Sequence, residues 1–445
     1  MDRSKEDKPA AVPKAIRPGE VRARWAWTEP SVWTEQMLTA LEQGVKGGKW
    51  YSLMDKVCRP QNLRRAFARV KANKGAPGVD HVTVEAFEQH LEANIEMLSR
   101  TLKDGTYRPQ AIRRKWIEKA GKRNEYRPLG IPTIRDRVVQ TALRQVIEPI
   151  FERDFAEHSY GFRPNRGCKD ALRRVVNLLN AGYIYAVDAD IRGYFDNIPW
   201  EPLMGRVREK VTDGRVLTLI ETFLHQQILE DAKHWTPEKG SPQGAVISPL
   251  LANLYLDPLD HEMAEAGFEM IRYADDFVIL CRSQEEAEAA LARIRQWTEA
   301  AGLELHPEKT RLVNASERGG FDFLGYHFER GMRWPSKKSK QRLKDKIRAK
   351  TRRTHGHSLE RKTIPEINRI LKGWFEYFKH GHRATFRSLD GWIRMRLRSI
   401  LRKRRGGRGR GRGSDHQRWP NAYFAERGLF SMQAAREAAC QSSRR

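Results

Sequence analysis

Tyr273-Ala274-Asp275-Asp276 sets two adjacent carboxylates between apolar runs, with Ile271 before them and Phe277-Val278-Ile279-Leu280 after. Residues 269–280 therefore read as two strands joined by a tight turn, a place where Asp is favoured because its side chain bonds local backbone and tolerates left-handed geometry. Two ionised carboxylates in such surroundings are costly unless something positive sits on them. Taken alone, the pair is either a plain hairpin turn or part of a cation site. A second acidic cluster bears on the choice. Asp188-Ala189-Asp190 ends an apolar stretch over 183–191 that reads as a buried strand, and Gly193-Tyr194-Phe195-Asp196 follows. Asp190 on a strand beside the Asp275-Asp276 turn would bring three carboxylates around one point. Magnesium suits such an oxygen-only set, since it binds through one or two carboxylates plus substrate phosphates and keeps several waters. Two such ions about 4 Å apart stabilise both the attacking and the leaving oxygen of an in-line displacement.

The charge balance points to the same chemistry. Across 445 residues, 83 Lys and Arg stand against 56 Asp and Glu, for a net charge of +27, which favours a polyanionic partner. No apolar run approaches the roughly 20 residues needed to span a bilayer, and the first 20 residues read as a charged tail without a signal core. Nucleic acid is thus expected and a membrane is not. Cys58, Cys168, Cys281 and Cys440 are each more than a hundred residues from the next. That spacing offers no Cys-x-x-Cys zinc pair and no disulfide framework, and a cytoplasmic location is expected.

The length suggests two or three domains. Residues 1–50 read as an N-terminal tail and extension, where Trp25, Trp27 and Trp33 either stack on RNA bases or dock the segment on a core. Helical patterning runs over 62–102, interrupted by the Gly- and Pro-containing loop at 73–78. Strand-like runs flank Gly121, and helical spacing covers 136–155, 201–226 and 285–301, while 321–328 reads as one strand. Between Gly331 and Gly413 there are 28 Lys and Arg against 5 Asp and Glu, a surplus of 23. That stretch shows helical spacing near 340–353, 364–379 and 386–402. The Gly/Arg run at 406–413 reads as a flexible linker, and Trp419, Tyr423, Phe424 and Phe430 suggest a small packed appendage.

Together these motifs resemble the reverse transcriptases, and among them the proteins encoded by bacterial group II introns. The turn at Tyr273–Asp276 and the strand end Asp190-Ile191-Arg192-Gly193-Tyr194-Phe195 resemble that family's palm. Arg127 through Thr133 with Asp136, Arg137 and Gln140, and Ser159 through Pro164, resemble its fingers. Ser241-Pro242-Gln243-Gly244 with Ser248, Pro249, Leu250 and Asn253 resembles the template-side loop and helix. Gly302 through Thr310, and Phe323-Leu324-Gly325, resemble the last palm blocks, and Asn73 through Asp80 the block before the fingers. The resemblance covers residues 62–326. It implies an α+β right-hand polymerase: fingers and palm over 51–330, with an antiparallel palm sheet carrying helices; an all-α thumb, or maturase domain X, over 331–405; and a basic linker with a DNA- or RNA-binding appendage over 406–445.

Carried over residue by residue, the resemblance makes Asp190, Asp275 and Asp276 a metal-binding triad for two Mg²⁺ ions, with the Ile191 carbonyl as a further ligand. Asp188 and Asp196 do not match the triad and are left as structural. Lys309 matches a general acid for the leaving pyrophosphate. Lys119 and Arg127 match the cations that hold the triphosphate. Phe195 matches an aromatic gate against the ribose 2′-hydroxyl, and Gln243 a contact to the nascent pair or template. Tyr273 would pack near the primer end, with Gly325 supporting that end from below. In the thumb, Arg394, Arg396, Arg398, Arg402, Lys403, Arg404 and Arg405 form a nearly all-cationic run, whose surplus of charge, taken to leave no internal partners, points to a phosphate backbone. Expected partners are a group II intron RNA or other RNA template, a DNA primer or target, and deoxynucleoside triphosphates. The clustered cysteines of the metal-dependent nuclease that ends many relatives are missing from this sequence, so no second-strand endonuclease is expected. Two other readings remain: a non-catalytic RNA-binding splicing factor, against which the intact triad argues, and a free-standing reverse transcriptase of defence or repair.

Overall fold

The computed structural model describes residues 20–118, 125–231, 233–354, 356–411 and 413–442. Its strands are β1 (Ile112–Glu118), β2 (Tyr126–Ile131), β3 (Tyr185–Asp190), β4 (Ile228–Glu230), β5 (Lys233–Trp235), β6 (Glu269–Tyr273), β7 (Asp276–Cys281), β8 (Arg311–Asn314), β9 (Phe321–Phe323), β10 (Tyr326–Glu329) and β11 (Met332–Pro335). The palm sheet has the order β6-β7-β3-β8 and is antiparallel throughout. Successive strand side chains point to opposite faces. Val187, Ala189, Phe277 and Ile279 accordingly enter a large core with the helices Ser248–Glu265 and Gln284–Ala300. Ala186, Val278, Leu280 and Ile271 face the helix Cys168–Asn180 and the β9–β10 hairpin.

The fingers sheet runs β2-β1-β4-β5, with β1 antiparallel to β2 and parallel to β4. Beside it lies the helix Ile134–Glu152, capped by the Thr133 hydroxyl and buried along most of its length. The thumb helices Lys337–Lys350, Ile364–Phe378 and Arg383–Arg404 close a third core. Trp419, Phe424 and Met432 complete it, so the C-terminal residues are packed onto the thumb.

Three sequence expectations change, and one left open is decided. The helix expected over 201–226 is two, Trp200–Lys210 and Gly214–Leu224. Between them Val211 bridges to Trp50, and the Asp213 carboxylate caps the second helix while accepting from the Leu53 and Met54 amides. The strand expected over 321–328 is a hairpin, turned by Leu324 and Gly325 at positive φ. The aromatics of the N-terminal extension dock: Trp33 is 0% exposed and its indole donates to the Gln145 carbonyl at 3.0 Å. Of the Gly/Arg run expected over 406–413 as a flexible linker, residues 406–411 lie against the long thumb helix, where the Gly411 amide donates to the Ser399 hydroxyl and Arg402 donates to the Arg408 carbonyl.

Candidate active site

The palm ladder pairs Asp190 directly with Asp276, and Tyr273 with Asp276 across the turn. Directly opposed residues stand about 4.5–5.5 Å apart at Cα and share a face. Asp188 lies two residues before Asp190 on that face, and Asp275 occupies the turn itself. The structure thus brings Asp190, Asp275 and Asp276 to one end of β3 and β7. Lys309 joins them, its ammonium bonded to the Asp190 carboxylate. Ile191 is buried and bridged to Leu305, and the Asp190 carbonyl accepts from the His306 amide at 2.7 Å, which fixes the 304–309 segment beside the strand end.

Burial pushes the Asp276 carboxyl from its ordinary 3.8 up to about 7, and Asp188, Asp275 and Asp190 add to the rise. Asp275 is raised chiefly by burial, with Asp190 adding and Arg272 and Lys309 opposing. Asp188 is itself raised by burial although Arg311 holds it through two bonds at 3.0 and 3.1 Å. Burial first, and the neighbouring carboxylates after it, therefore disfavour the ionised forms at this end of the sheet. Among the described residues no three His, Cys, Asp or Glu side chains already stand in ligating positions. The donor set is nonetheless carboxylate oxygen, the kind a hard divalent cation takes, and the Lys309 ammonium already fills the place of a cation at Asp190.

A buried clamp that sequence reading passed over holds the turn from behind. Arg272, 1% exposed, forks onto Asp260, with Nε bonds of 2.8 and 2.9 Å. Its Nη1 donates to Asn253 Oδ1 at 3.0 Å and to the Ala274 carbonyl at 2.9 Å. Ala274 sits at φ 61°, a left-handed conformation that a side-chain-bearing residue adopts at a cost of about 1–2 kcal/mol. Arg272 ties that strained peptide to the helix Ser248–Glu265. Gly161 presses on the other side: a Cβ there would lie 2.2 Å from the Ala274 nitrogen, and Asn253 donates to the Gly161 carbonyl at 2.7 Å. An Arg in the interior of a short strand was the one signal in the sequence, and it did not name its partner among the acidic residues of the preceding helix.

Phe195 is half-buried, edge-on to Tyr194 at 5.5 Å and to Phe162 at 6.5 Å. Its carbonyl accepts from the Ser241 amide at 2.7 Å, so the ring lies beside the loop that carries Gln243. The Gln243 carbonyl accepts from the Gly130 amide at 2.6 Å, joining that loop to β2, from which Arg127 projects exposed. Lys119 lies outside the described residues. Tyr273 is half-buried, its phenol pushed up to about 12 by burial and by Cys168. Gly325 turns the β9–β10 hairpin at φ 82°, and its carbonyl accepts from Ser336 N at 2.8 Å and Ser339 Oγ at 2.9 Å, at the start of the thumb.

The thumb cations are not brought to this site, and they are not equivalent. The expectation that they lack internal partners fails for four of them. Arg398 is 3% exposed and donates to the Trp419 carbonyl and Asn421 Oδ1, each at 2.8 Å. Arg402 pairs with Asp415 at 2.6 Å, Arg396 donates to Thr351, and Arg404 to the His357 carbonyl. Arg398 and Arg402 thus meet the packed C-terminal residues, while Arg396 and Arg404 meet the segment after the helix Lys337–Lys350. Arg394 is half-buried, while Lys403 and Arg405 are exposed.

The profile of the family described as "Reverse transcriptase (RNA-dependent DNA polymerase)" matches residues 117–328, and that of "Group II intron, maturase-specific domain" matches residues 340–419. "Protein YkfC" of Escherichia coli (strain K12) is 31% identical over 349 residues, covering 69% of this chain and 86% of that protein. "Group II intron-encoded protein LtrA" of Lactococcus lactis subsp. cremoris is 40% identical over 204 residues, covering 45% of this chain and 33% of that protein. Among solved structures, a chain of a "Partial Cas6-RT-Cas1--Cas2 complex" is 27% identical with a TM-score of 0.37, covering 56% of this chain and 41% of that one. No helix among the described residues is long and apolar enough to cross a membrane.

Proposed function

Because the chain belongs to the reverse transcriptase family and carries a group II intron maturase-specific domain, we propose that it copies RNA into DNA and assists the splicing and mobility of a host group II intron RNA. The observation that carries the polymerase reading is the palm register, which sets Asp190 opposite Asp276 with Asp275 in the adjoining turn. The maturase reading rests on the profile over the thumb and on likeness to an intron-encoded protein.

Family membership implies dependence on a divalent metal, and the metal assigned here is magnesium, two ions held by Asp190, Asp275, Asp276 and the Ile191 carbonyl. When bound, the ions supply activation of the primer 3′-hydroxyl and neutralisation of charge on the leaving pyrophosphate. The protein's part is placement. Arg272 and Gly161 fix the turn, so that the carboxylates face the reaction at no further ordering cost. Lys309 leaves Asp190 when the triphosphate arrives and gives its proton to the pyrophosphate. Arg127 and Lys119 hold the triphosphate, Gln243 contacts the pair or template, and the Phe195 ring blocks a 2′-hydroxyl. Tyr273 and Gly325 seat the primer end. An RNA template, a DNA primer or target and deoxynucleoside triphosphates are the reactants.

Primer extension on an RNA template with Mg²⁺ tests the reading. Asp275→Asn should abolish extension, a loss of at least a thousandfold, while RNA binding stays within about twofold of wild type. Persisting synthesis by the variant removes the assignment.

A further inference from the structure

The last turn of the thumb helix Ile364–Phe378 reaches out of its own module. Phe378 is buried in the core behind the palm sheet, and Trp374, Tyr377 and Leu324 pack against that core. Two phenol–carbonyl bonds cross between palm and thumb at this point, in opposite directions. The Tyr377 hydroxyl donates to the Leu324 carbonyl at 2.8 Å, and the Tyr326 hydroxyl donates to the Tyr377 carbonyl at 2.7 Å. The two rings lie 5.9 Å apart. What the bonds hold differs.

Leu324 turns the β9–β10 hairpin at φ 47°, in the left-handed region that a residue with a side chain enters only under restraint. Its own backbone groups receive that restraint from two sides. The carbonyl is held by Tyr377, and the amide donates to the Asp276 carboxylate. One strained residue thus joins a thumb phenol to a carboxylate of the polymerase site. A second route leads the same way. The Cys168 thiol, at the start of the helix Cys168–Asn180, hydrogen-bonds both the Tyr377 and the Tyr273 phenols, and Tyr273 is the ladder partner of Asp276. A phenol has one hydrogen to give; that of Tyr377 goes to Leu324, which leaves its oxygen to accept from the thiol.

We propose that Tyr377 is a positioning residue for polymerisation, its hydroxyl holding Leu324, and through Leu324 the Asp276 carboxylate, in place while the thumb is docked on the palm. This role rests on the polymerase reading of the carboxylate site and adds to it a thumb residue that acts through another. Reacting groups have to be held within about 0.5 Å of productive geometry. A strained residue anchored on both sides passes a small displacement of the thumb directly to the carboxylate. Docking of the thumb is thereby coupled to the order of the active site.

Two variants of the full-length chain separate this role from docking alone. Tyr377→Phe and Tyr326→Phe each remove one phenol–carbonyl bond from the same palm–thumb contact and keep the ring, but only the first releases Leu324. In primer extension on RNA with Mg²⁺, kcat should fall about tenfold in Tyr377→Phe, less than the roughly hundredfold of a full 1 Å misplacement. In Tyr326→Phe it should stay within about twofold of wild type. The KM for deoxynucleoside triphosphate, and the affinity for primer–template in EDTA, should change by less than about twofold in both. Amide hydrogen exchange of metal-free protein gives a readout independent of activity: the Leu324 amide should exchange roughly tenfold faster in Tyr377→Phe alone. Equal kcat in the two variants, or unchanged exchange at Leu324 in Tyr377→Phe, overturns the proposal. If Asp275→Asn still abolishes extension in that case, the polymerase reading stands and only the coupling is lost. A wild-type chain that extends no primer removes the reading itself, and the positioning role with it, whatever Leu324 does.

Discussion

At Asp276 burial and three neighbouring carboxylates all act in one direction, raising its carboxyl from 3.8 to about 7. In the unfolded chain the same group ionises near its ordinary value. Its contribution to stability is therefore whole below about pH 4 and is lost as pH rises through about 7. Metal-free protein in EDTA should lose melting temperature between pH 5 and 7.5, on the order of 2–3 kcal/mol from this group. Asp276→Asn should flatten that fall, and an identical slope in the variant would show that the carboxyl ionises freely in the fold. Gly161 makes a sharper demand, because a methyl there meets the Ala274 nitrogen at 2.2 Å. Gly161→Ala should lower kcat by about a hundredfold, the scale of a 1 Å misplacement, with circular dichroism unchanged. The carboxylates themselves were legible, since acidic residues at strand ends stand out against apolar neighbours. Arg272 and Asp260 were not, because twelve residues of separation say nothing about which way each side chain turns until the helix is laid against the strand.

Among elements, the long thumb helix Arg383–Arg404 shows how a charge run divides between structure and ligand. Its positions 396, 398, 402 and 404 are engaged by the rest of the module, while Lys403 and the following Arg405 are exposed and Arg394 is half-buried with no partner among the described residues. Changing Arg394, Lys403 and Arg405 to Gln should reduce the slope of log K against log salt for RNA binding by about 0.7–0.9 for each phosphate no longer neutralised. Arg398→Gln should instead leave the slope alone and cost about 2 kcal/mol in denaturant unfolding, the scale of a charged hydrogen bond removed from the interior. A slope that moves equally in both variants would erase this division. Helix limits in the thumb follow the apolar spacing to within a few residues. The breaks at 211–213 and 324–325 escaped it, because they are set by Trp50 and by the start of the thumb rather than by neighbours in sequence.

For the whole molecule, residues 20–50 share one core with fingers and palm. Trp33 is in edge contact with Trp50 at 5.3 Å and is held to Gln145, so the extension closes over the helix Ile134–Glu152. Trp33→Ala should cost about 3–5 kcal/mol, read as a lower denaturation midpoint; a midpoint unchanged within error would mean the extension is an ornament. By itself the sequence determined the strand-turn-strand around Asp275, the strand ending at Asp190 and the basic helical module of residues 331–413. These depend on local periodicity and residue type, which a single chain displays directly. Only the tertiary structure decided that Asp190 opposes Asp276, that Arg272 braces the turn, which thumb cations face inward and where the Trp-rich extension lies. Each of those depends on the packing of segments distant in sequence, where burial and charge compensation are settled by neighbours that no local pattern encodes.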